Sequence, residues 1–259
     1  MKVYERLSQA FKAEGTTHVF GMMGDGNMYW QYANQKNGIK MHEVRHEGVG
    51  MGMADGWARA SRTPGVCTAT CGPGTTQLAT AFVTAARASS PLVAFCGEYP
   101  VSDDEYTQAL DQSAFAHGCE AAFVRMGTPQ DADEAVRKAF YIARTQSRPV
   151  LLSVPMDLQQ KEWEDDEPYM PSTAIIPKRT VSPNEGAIKQ AADMLQGAKR
   201  PVIVMGRGAM WSGAGEEIRA LAQRTGALLA TTLQAKNFLG DDEYHIGIDR
   251  KSTRLNSSH

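Results

Sequence analysis

The sequence has 259 residues and a formal net charge of −2, from 27 Lys and Arg residues against 29 Asp and Glu residues. This length allows one or two domains with a sizeable core. The near-neutral charge excludes the basic surface that nucleic acids or anionic membranes require. The longest apolar runs, such as Pro91–Cys96, are far too short to cross a bilayer. The first residues, MKVYERLSQAFKAEG, carry charges where a secretory signal would be apolar. We therefore expect a cytoplasmic protein with no nucleic-acid or membrane partner.

Apolar strands alternate with helical stretches from residue 1 to about residue 160. The predicted strands are Thr17–Gly21, Ile39–Val44, Val66–Thr70, Leu92–Cys96, Ala122–Met126 and Val150–Val154. The predicted helices are Val3–Glu14, Met28–Gln35, His46–Ser61, Thr75–Ala88 and Asp131–Thr145. This alternation is typical of an α/β fold with a parallel sheet flanked by helices. Ligands of such sheets bind at the carboxyl ends of the strands.

A composition change follows the predicted sheet. Residues 163–183, WEDDEPYMPSTAIIPKRTVSP, are acidic and then rich in proline, which predicts a linker. A second α/β unit follows, with helices Glu185–Leu195 and Gly213–Thr225 and strands Pro201–Met205 and Leu228–Thr232. This is too little sheet to bury both faces, so we expect the sequence to be a truncated copy of a longer protein.

The end of the sequence differs from the rest. Residues Asp249–His259, DRKSTRLNSSH, are polar and resemble the translation of a sequencing adapter. We therefore expect residues 249–259 to be a non-native tail. The four cysteines lack the compact second ligand pair of a metal site and are predicted to be buried thiols: Cys67, Cys71, Cys96 and Cys119.

Three short glycine-rich segments each follow a predicted strand. They are GMMGDGN at Gly21–Asn27, TCGPGTTQ at Thr70–Gln77 and GRGA at Gly206–Ala209. Glycine lets the backbone turn tightly or approach a ligand closely. The residues alone leave open whether these segments are ordinary turns or parts of a binding site.

The stretch RHEGVGMGMADGWARA, Arg45–Ala60, is an unusual helix. Its apolar residues recur at helical spacing, which indicates one apolar face. Four glycines fall in the same stretch, and each costs about 1 kcal/mol relative to alanine in a helix interior. Glu47 precedes them, and taken alone its position favours a solvated acid near the positive end of the helix dipole, with a functional carboxyl as the alternative.

Together and in this order, these segments resemble thiamine-diphosphate-dependent enzymes of the acetolactate synthase and 2-keto acid decarboxylase superfamily. The glycine-bearing helix is similar to the family's H-E-x-x-A-x-x-x-A-D-G-Y-A-R motif, and CGPGTTQ is similar to S-G-P-G-x-x-N. RPVLLSVPMDLQ resembles the closing strand with its P-x-D signature. The resemblance implies a thiamine-diphosphate-binding fold, with a pyrimidine-binding domain over residues 1–162, a linker over 163–183 and part of a Rossmann-like central domain over 184–248.

The resemblance also implies an activity. It is decarboxylation of a 2-keto acid followed by carboligation, as in acetolactate synthase, which makes the parent protein a lyase or transferase. A simple 2-keto acid decarboxylase of the benzoylformate or pyruvate type is one alternative, and a non-catalytic regulatory homologue is another. The family's metal–diphosphate motif is absent from the sequence, so we expect the chain alone to be inactive.

Six residues receive roles from the resemblance. Glu47 is the implied catalytic residue and would hydrogen-bond a ring nitrogen of the coenzyme's aminopyrimidine. Pro73 and Gly74 would line the pyrimidine pocket, and Gln77 stands where the family often has asparagine. The implied substrate-side residues are Asp25 and Gln112. Asp111 and Ser113 depart from the phenylalanine and glutamate usual beside that glutamine, so the substrate is not specified.

The implied cofactors are thiamine diphosphate and Mg²⁺, with Mg²⁺ bound through the diphosphate domain that this chain lacks and no metal ligand in the chain itself. Some members of the family also hold FAD on the central domain, and Gly206–Ala209 is compatible either with FAD binding or with an ordinary turn. The implied partners are a 2-keto acid and further copies of the protein, as a homodimer or homotetramer. In this family the glycine-bearing helix packs in the subunit interface.

Overall fold

The computed structural model describes residues 1–103, 105–165, 167–177 and 182–249. The chain divides into two compact units, one ending at Lys178 and the other beginning at Arg179. The predicted domain boundaries at residues 162 and 184 stay predictions. Residues 250–259 of the predicted tail lie outside the described residues.

Six parallel strands form the sheet of the first unit, in the order β2-β1-β3-β4-β6-β5. The strands are β1 (His18–Gly21), β2 (Lys40–Glu43), β3 (Gly65–Ala69), β4 (Leu92–Glu98), β5 (Ala122–Arg125) and β6 (Pro149–Pro155). Every residue of β3, β4 and β6 is buried, as expected for strands that helices cover on both faces. The predicted α/β fold is confirmed.

The helices of the first unit precede, connect and follow these strands. They are α1 (Val3–Ala13), α2 (Met28–Lys36), α3 (Glu47–Ser61), α4 (Pro73–Thr76), α5 (Ala79–Arg87), α6 (Gln112–Gly118), α7 (Ala132–Gln146), α8 (Met156–Gln159) and α9 (Ser172–Ile175). The single helix predicted over Thr75–Ala88 is divided between α4 and α5. The Leu78 amide donates to the Thr75 carbonyl, three residues back, which tightens the chain and interrupts the α-helical hydrogen bonds.

Two apolar cores lie on opposite faces of this sheet. On one face Trp30 of α2 stacks on Phe95 at a centroid distance of 4.1 Å, and Phe11 of α1 meets both rings edge-on. On the other face Phe82 of α5 is fully buried with Met51 of α3. The helices that follow β1 and β3 therefore cover different faces. The crevice between the carboxyl ends of β1 and β3 is the topological switch point, where such sheets bind ligands.

Residues 163–165 and 167–177, which we call the strap, are bound to the first unit although they lie in the predicted linker. The Trp163 amide donates to the Met1 carbonyl at 2.8 Å. The buried carboxylate of Glu14 accepts hydrogen bonds from the Tyr169 hydroxyl and the Ser172 amide, each at 2.7 Å, and pairs with Arg144 of α7. The sequence of the strap has no periodic pattern. Side chains from distant parts of the chain hold it in place.

The second unit contains three parallel strands in the order β7-β8-β9. Its elements are α10 (Glu185–Gly197), β7 (Val202–Met205), α11 (Arg207–Ser212), α12 (Gly215–Thr225), β8 (Leu228–Thr231) and β9 (His245–Ile248). Strand β9, with the four-residue sequence HIGI, was not predicted. Its pairing with β8 includes a register shift.

Two predictions concerned the cysteines and the possibility of a membrane-spanning helix. The four cysteines are buried and unbridged, as predicted. None of the helices that the structure describes combines the length and the apolar character needed to cross a bilayer.

Candidate functional site

The loops that follow β1 and β3 meet at the switch point. The Gly26 amide donates to Thr70 Oγ1 at 3.1 Å. A Cβ on Gly24 would lie 2.6 Å from the Thr70 Cβ, so only glycine permits this approach. Asn27 is fully buried and closes the turn, accepting from the Gly24 amide and donating to Thr68 Oγ1, each at 2.9 Å. The turn Gly21–Asn27 is therefore a rigid edge of the crevice.

Glu47 lies at the first position of α3, at the same edge of the sheet. The preceding residue, His46, is the N-cap, and its Nδ1 accepts a hydrogen bond from the Gly48 amide at 3.1 Å. This bond satisfies one of the free amides at the helix start. The Glu47 side chain is half-buried. Its position is thus fixed by the helix start that His46 holds.

The structure brings Glu47 and Gly74 together, as the implied site requires. A Cβ on Gly74 would lie 3.3 Å from Glu47 Oε1 and 2.8 Å from Thr70 Cγ2. Gly74 is buried, whereas Pro73 is exposed at the first position of α4. The backbone of this loop therefore faces the carboxyl of Glu47 with no side chain at residue 74 between them.

Gln77 is exposed and lines an open groove between α3 and α5. The groove has a volume of about 590 Å³ and includes His46, Gly48 and Gly52. The Gln77 carbonyl oxygen lies 2.9 Å from the place of a Cβ on Gly48. Gln77 is thus adjacent to the start of α3, and its side chain lies at the groove and not in the buried part of the crevice.

The four glycines of α3 divide into two kinds. A Cβ on Gly50 would lie 3.1 Å from the Gly21 Cα, and one on Gly48 would contact Gln77. Among the residues that the structure describes, none would lie within 4 Å of a Cβ on Gly52 or on Gly56. The first pair thus lets α3 pack on its own unit, and the second pair leaves an open helix surface.

The open surface of α3 also carries apolar side chains. Val49 is 55% exposed and Met53 is 42% exposed. Trp57, at the same helical spacing, packs on the ring of His18 at a centroid distance of 4.3 Å. The buried side of α3 is instead formed by Gly50, Met51, Ala54 and Ala58. The apolar stripe seen in the sequence therefore faces outward over its first two turns.

Asp25, one of the implied substrate-side residues, is exposed on the turn after β1. Burial raises the pKa of the Tyr106 hydroxyl, and the nearby groups of Cys71 and Asp25 raise this pKa further. The Cys71 thiol donates to Gln108 Oε1 at 3.1 Å, and burial raises its pKa. The segment around Gln108 therefore packs against the loop after β3, at Cys71 and Gly72.

Gln112, the other implied substrate-side residue, is only 3% exposed. Its Nε2 donates to the Gly97 carbonyl at 2.6 Å. Gly97 in turn lies against the turn after β1, where a Cβ on Gly97 would come within 2.5 Å of the Gly26 Cα. Gln112 is thus joined through one backbone residue to the turn that carries Asp25.

Sequence reasoning missed a charged cluster at the same end of the sheet. The Glu98 carboxylate, at the end of β4, accepts hydrogen bonds from Arg125 Nε at 2.9 and 2.8 Å and from Ser153 Oγ at 2.8 Å. Arg125 ends β5, and β6 with Ser153 lies between β4 and β5. An acid and a base at two strand ends were visible in the sequence, but the strand order that joins them was not.

The second unit holds the predicted flavin turn. Gly206 precedes the six-residue helix α11, and the Met210 amide donates to its carbonyl. In the part of the chain that the structure describes, no group of three or more His, Cys, Asp or Glu side chains could hold a metal ion. The flavin and magnesium predictions stay predictions.

Both units match models of known families. Residues 1–115 match the model described as "Thiamine pyrophosphate enzyme, N-terminal TPP binding domain". Residues 188–250 match the model described as "Thiamine pyrophosphate enzyme, central domain".

Curated relatives match along most of the chain. A probable acetolactate synthase large subunit of Methanocaldococcus jannaschii is 33% identical over 249 residues, which cover 93% of this chain and 42% of the relative. The chloroplastic acetolactate synthase 2 of Nicotiana tabacum is 32% identical over 88% of this chain and 35% of its own length. The acetolactate synthase large subunit of Corynebacterium glutamicum is 34% identical over 79% of this chain and 33% of its own length. The chain therefore spans less than half the length of these relatives.

Proposed function

Because this chain belongs to the thiamine pyrophosphate enzyme superfamily and is similar to acetolactate synthases, we propose that it forms the pyrimidine-binding side of a thiamine diphosphate site. The protein that contains it would act on 2-keto acids. The proximity of Glu47 Oε1 to the buried backbone at Gly74 carries this proposal, because a carboxyl and a side-chain-free backbone segment lie together near the switch point of the sheet.

The residues present fit an aminopyrimidine ring. The missing side chain at Gly74 leaves Glu47 Oε1 uncovered, since a Cβ there would lie 3.3 Å away. Pro73 and Gly74 would hold one side of the ring through their backbone, and Gln77 would contribute from the groove. Glu47 would hydrogen-bond the ring nitrogen.

When bound, thiamine diphosphate supplies the nucleophile and the electron sink for release of carbon dioxide from a 2-keto acid. Glu47 would hold and exchange a proton at Oε1 as the ring nitrogen changes its protonation. Positioned acid–base groups of this kind contribute about 10²- to 10⁴-fold to rate. Asp25 and Gln112 would lie on the substrate side, where the second step would join the decarboxylated unit to another 2-keto acid.

We also propose that two copies associate through the open surface of α3 and the groove beside it. Gly52 and Gly56 present backbone with no neighbour within 4 Å, and Val49 and Met53 are exposed next to them. Small residues permit close approach of a second backbone, and the apolar side chains would gain from burial. The proposal has four further parts. The protein assembles as a homodimer or homotetramer and is cytoplasmic. Mg²⁺ is bound outside this chain, and FAD is bound on the second unit.

The test is Glu47→Gln in the natural protein that contains this sequence, supplied with thiamine diphosphate, Mg²⁺ and pyruvate. We expect turnover to fall at least about 10²-fold, because glutamine keeps the shape but cannot exchange the proton. The matched control is Glu43→Gln at the exposed end of β2, which should keep wild-type turnover.

Product analysis in the same assay separates the alternatives. Acetolactate supports carboligation, and free acetaldehyde as the main product favours a simple decarboxylase. A wild-type protein that binds the coenzyme without turning over any 2-keto acid tested would favour the non-catalytic homologue. Full turnover by the Glu47→Gln variant removes Glu47 from the mechanism.

A further inference from the structure

The turn after β1 reaches across the carboxyl end of the sheet. In the order of strands, β1 is separated from β6 by β3 and β4, yet Gly26 of this turn meets residues that lie at the ends of all three. Its amide donates to Thr70 Oγ1 after β3 at 3.1 Å, and its carbonyl accepts from Gln159 Nε2 after β6 at 2.8 Å. The backbone of Gly26 is therefore held from two sides by side chains of other segments.

Gly97 of β4 makes this crossing possible. A Cβ on Gly97 would lie 2.5 Å from the Gly26 Cα and 2.5 Å from the Gly26 carbonyl oxygen. The same oxygen is the acceptor for Gln159. A side chain at residue 97 would thus displace the atom that Gln159 binds, and glycine permits the close approach of the two backbones.

Gln159 is the last residue of α8, the short helix that directly follows β6. Its side chain belongs to a residue that is only 1% exposed. Nε2 also donates to the carbonyl of Val154 in β6 at 3.2 Å. An amide nitrogen carries two hydrogens, so one buried group joins the end of β6 to the turn after β1.

The helix that carries Gln159 is itself anchored. Asp157, the acid of the P-x-D signature, accepts hydrogen bonds at Oδ1 from the amides of Val101 at 3.2 Å and Leu158 at 3.0 Å. Val101 belongs to the segment after β4. Residues of α8 thus bind the segments that follow two different strands, and Gln159 extends from a fixed support.

The other end of the turn is held in a similar way. The Met22 carbonyl accepts from Asn27 Nδ2 and from Gln31 Nε2, each at 3.0 Å. Asp25, which is exposed, lies between the two held ends. The place of its carboxylate is therefore set by the hydrogen bonds on either side of it.

We propose that Gln159 is a positioning residue for the 2-keto acid, because its hydrogen bond to the Gly26 carbonyl holds the turn that presents Asp25 to the substrate. This inference rests on the proposed function, which places Asp25 on the substrate side. Glu47 and Gly74, which are proposed to face the coenzyme, follow β2 and β3 instead. Loss of the Gln159 amide should therefore weaken substrate binding and spare coenzyme binding.

The test is Gln159→Met in the natural protein that contains this sequence, supplied with thiamine diphosphate, Mg²⁺ and pyruvate. Methionine keeps the length of the side chain and removes the donor. We expect the KM for pyruvate to rise about fivefold or more and the Kd for thiamine diphosphate to stay within about twofold, because a small misplacement is costly only where the contact is made. A merely structural role would reduce the amount of active enzyme, which lowers the apparent kcat and leaves KM unchanged. A wild-type KM in the variant overturns the proposal.

Two further variants keep this result interpretable. Val136→Ala on α7 is the matched control, since truncation of this fully buried residue also lowers stability, and its KM should equal that of the wild type. Gln159→Asn retains a polar amide in the buried site, but its side chain is one methylene shorter and would not reach the Gly26 carbonyl. We expect the same rise in KM, including where Gln159→Met does not fold, and a wild-type KM in Gln159→Asn would also count against the proposal.

Hydrogen exchange of residues 22–28, followed by mass spectrometry without coenzyme, tests the turn itself. We expect exchange at least about tenfold faster in Gln159→Met than in the wild type, because protection reports local opening, and no change in Val136→Ala. Unchanged exchange in Gln159→Met would show that the amide does not hold the turn and would overturn the proposal. Absence of turnover in the wild type would instead overturn the proposed function, and the exchange rates would still decide whether Gln159 holds the turn.

Discussion

Glu47 Oε1 lies 3.3 Å from the point where a Cβ of Gly74 would stand. Glu47 is the first residue of α3 and Gly74 the second residue of α4, and the parallel sheet brings the starts of those helices to one edge. The absence of a side chain at residue 74 is thus what leaves the acid open toward the crevice.

Replacement of Gly74 by alanine should impair coenzyme binding. The added methyl group would lie 2.8 Å from Thr70 Cγ2 as well as beside the Glu47 carboxyl. Overpacking of this kind costs about 1–3 kcal/mol, so we expect the affinity for thiamine diphosphate to fall about tenfold or more. Calorimetry on the natural protein that contains this sequence measures it. Gly118→Ala is the control because its Cβ would meet nothing within 4 Å. An unchanged affinity in Gly74→Ala would show that the ring does not lie at this loop.

A charge on the open face of α3 should prevent self-association. Val49→Asp places a carboxylate among the exposed residues of that face, and its position near the helix start is favourable for an acid, so the fold should persist. We expect the wild-type chain to sediment as a dimer at about 10 μM and the variant as a monomer, because the charge would have to be desolvated in the interface.

The control for this experiment is Tyr32→Asp on α2. Tyr32 is similarly exposed, at 51%, and α2 covers the other face of the sheet. This variant should remain a dimer. A dimer that persists in Val49→Asp would place the interface elsewhere.

Loss of the buried charge at Glu14 should strongly destabilise the first unit. Glu14→Gln leaves the Arg144 guanidinium without its anion and weakens the bonds from Tyr169 and Ser172. Removing one partner of a buried ion pair typically costs about 3–5 kcal/mol. Urea denaturation measures the free energy of unfolding, and Glu134→Gln on the exposed side of α7 is the control, expected to change it by less than about 0.5 kcal/mol. A loss of that small size in Glu14→Gln would mean that the strap contributes little to stability.

The imidazole of His42 should lower the free energy of unfolding in mild acid. Burial and the neighbouring His18 and Lys40 lower its pKa, and its ring stacks on those of His18 and Phe20. The unfolded chain therefore binds a proton more readily than the folded chain. Stability should be complete above about pH 6.5, the ordinary pKa of histidine, and fall as the pH drops through the lower pKa of the folded state.

His42→Phe should reduce this acid loss, since phenylalanine keeps the stacking without a proton site. Thermal unfolding followed between pH 7.5 and about pH 5 by circular dichroism tests it. His117→Phe, at an exposed position on α6, should leave the pH profile unchanged. A profile of His42→Phe that overlays the wild type would assign the acid loss to other groups.

The sheet could be predicted from the sequence because its inner strands are buried on both faces and read as continuous apolar runs. The loop before Gly74 could be located for the same reason, since it follows the buried strand β3, whereas Glu47 follows the edge strand β2 and was located by the start of the helix behind it. The pairing of Glu98 with Arg125 could not be predicted, because β6 lies between their strands and the local sequence pattern does not give the order of strands in a sheet.

The strap could not be predicted for a related reason. Its local sequence is acidic and rich in proline, which is typical of a linker, yet Glu14 and Arg144 bind it from helices far away in the sequence. The exposure of Val49 and Met53 was equally hidden, since helical spacing identifies an apolar face without telling whether it turns to the core or to a neighbour.

The open glycines of α3 should make the activity depend on protein concentration. Gly52 and Gly56 lower the intrinsic stability of α3 by about 2 kcal/mol together, and no described residue of the first unit packs where their side chains would be. A neighbouring copy packed on them would recover part of that loss. Assembly would therefore stabilise α3, and a stable α3 would in turn favour assembly. Dilution would then loosen the support of the Glu47 carboxyl while the sheet beneath stayed intact, and specific activity would fall along with the degree of assembly.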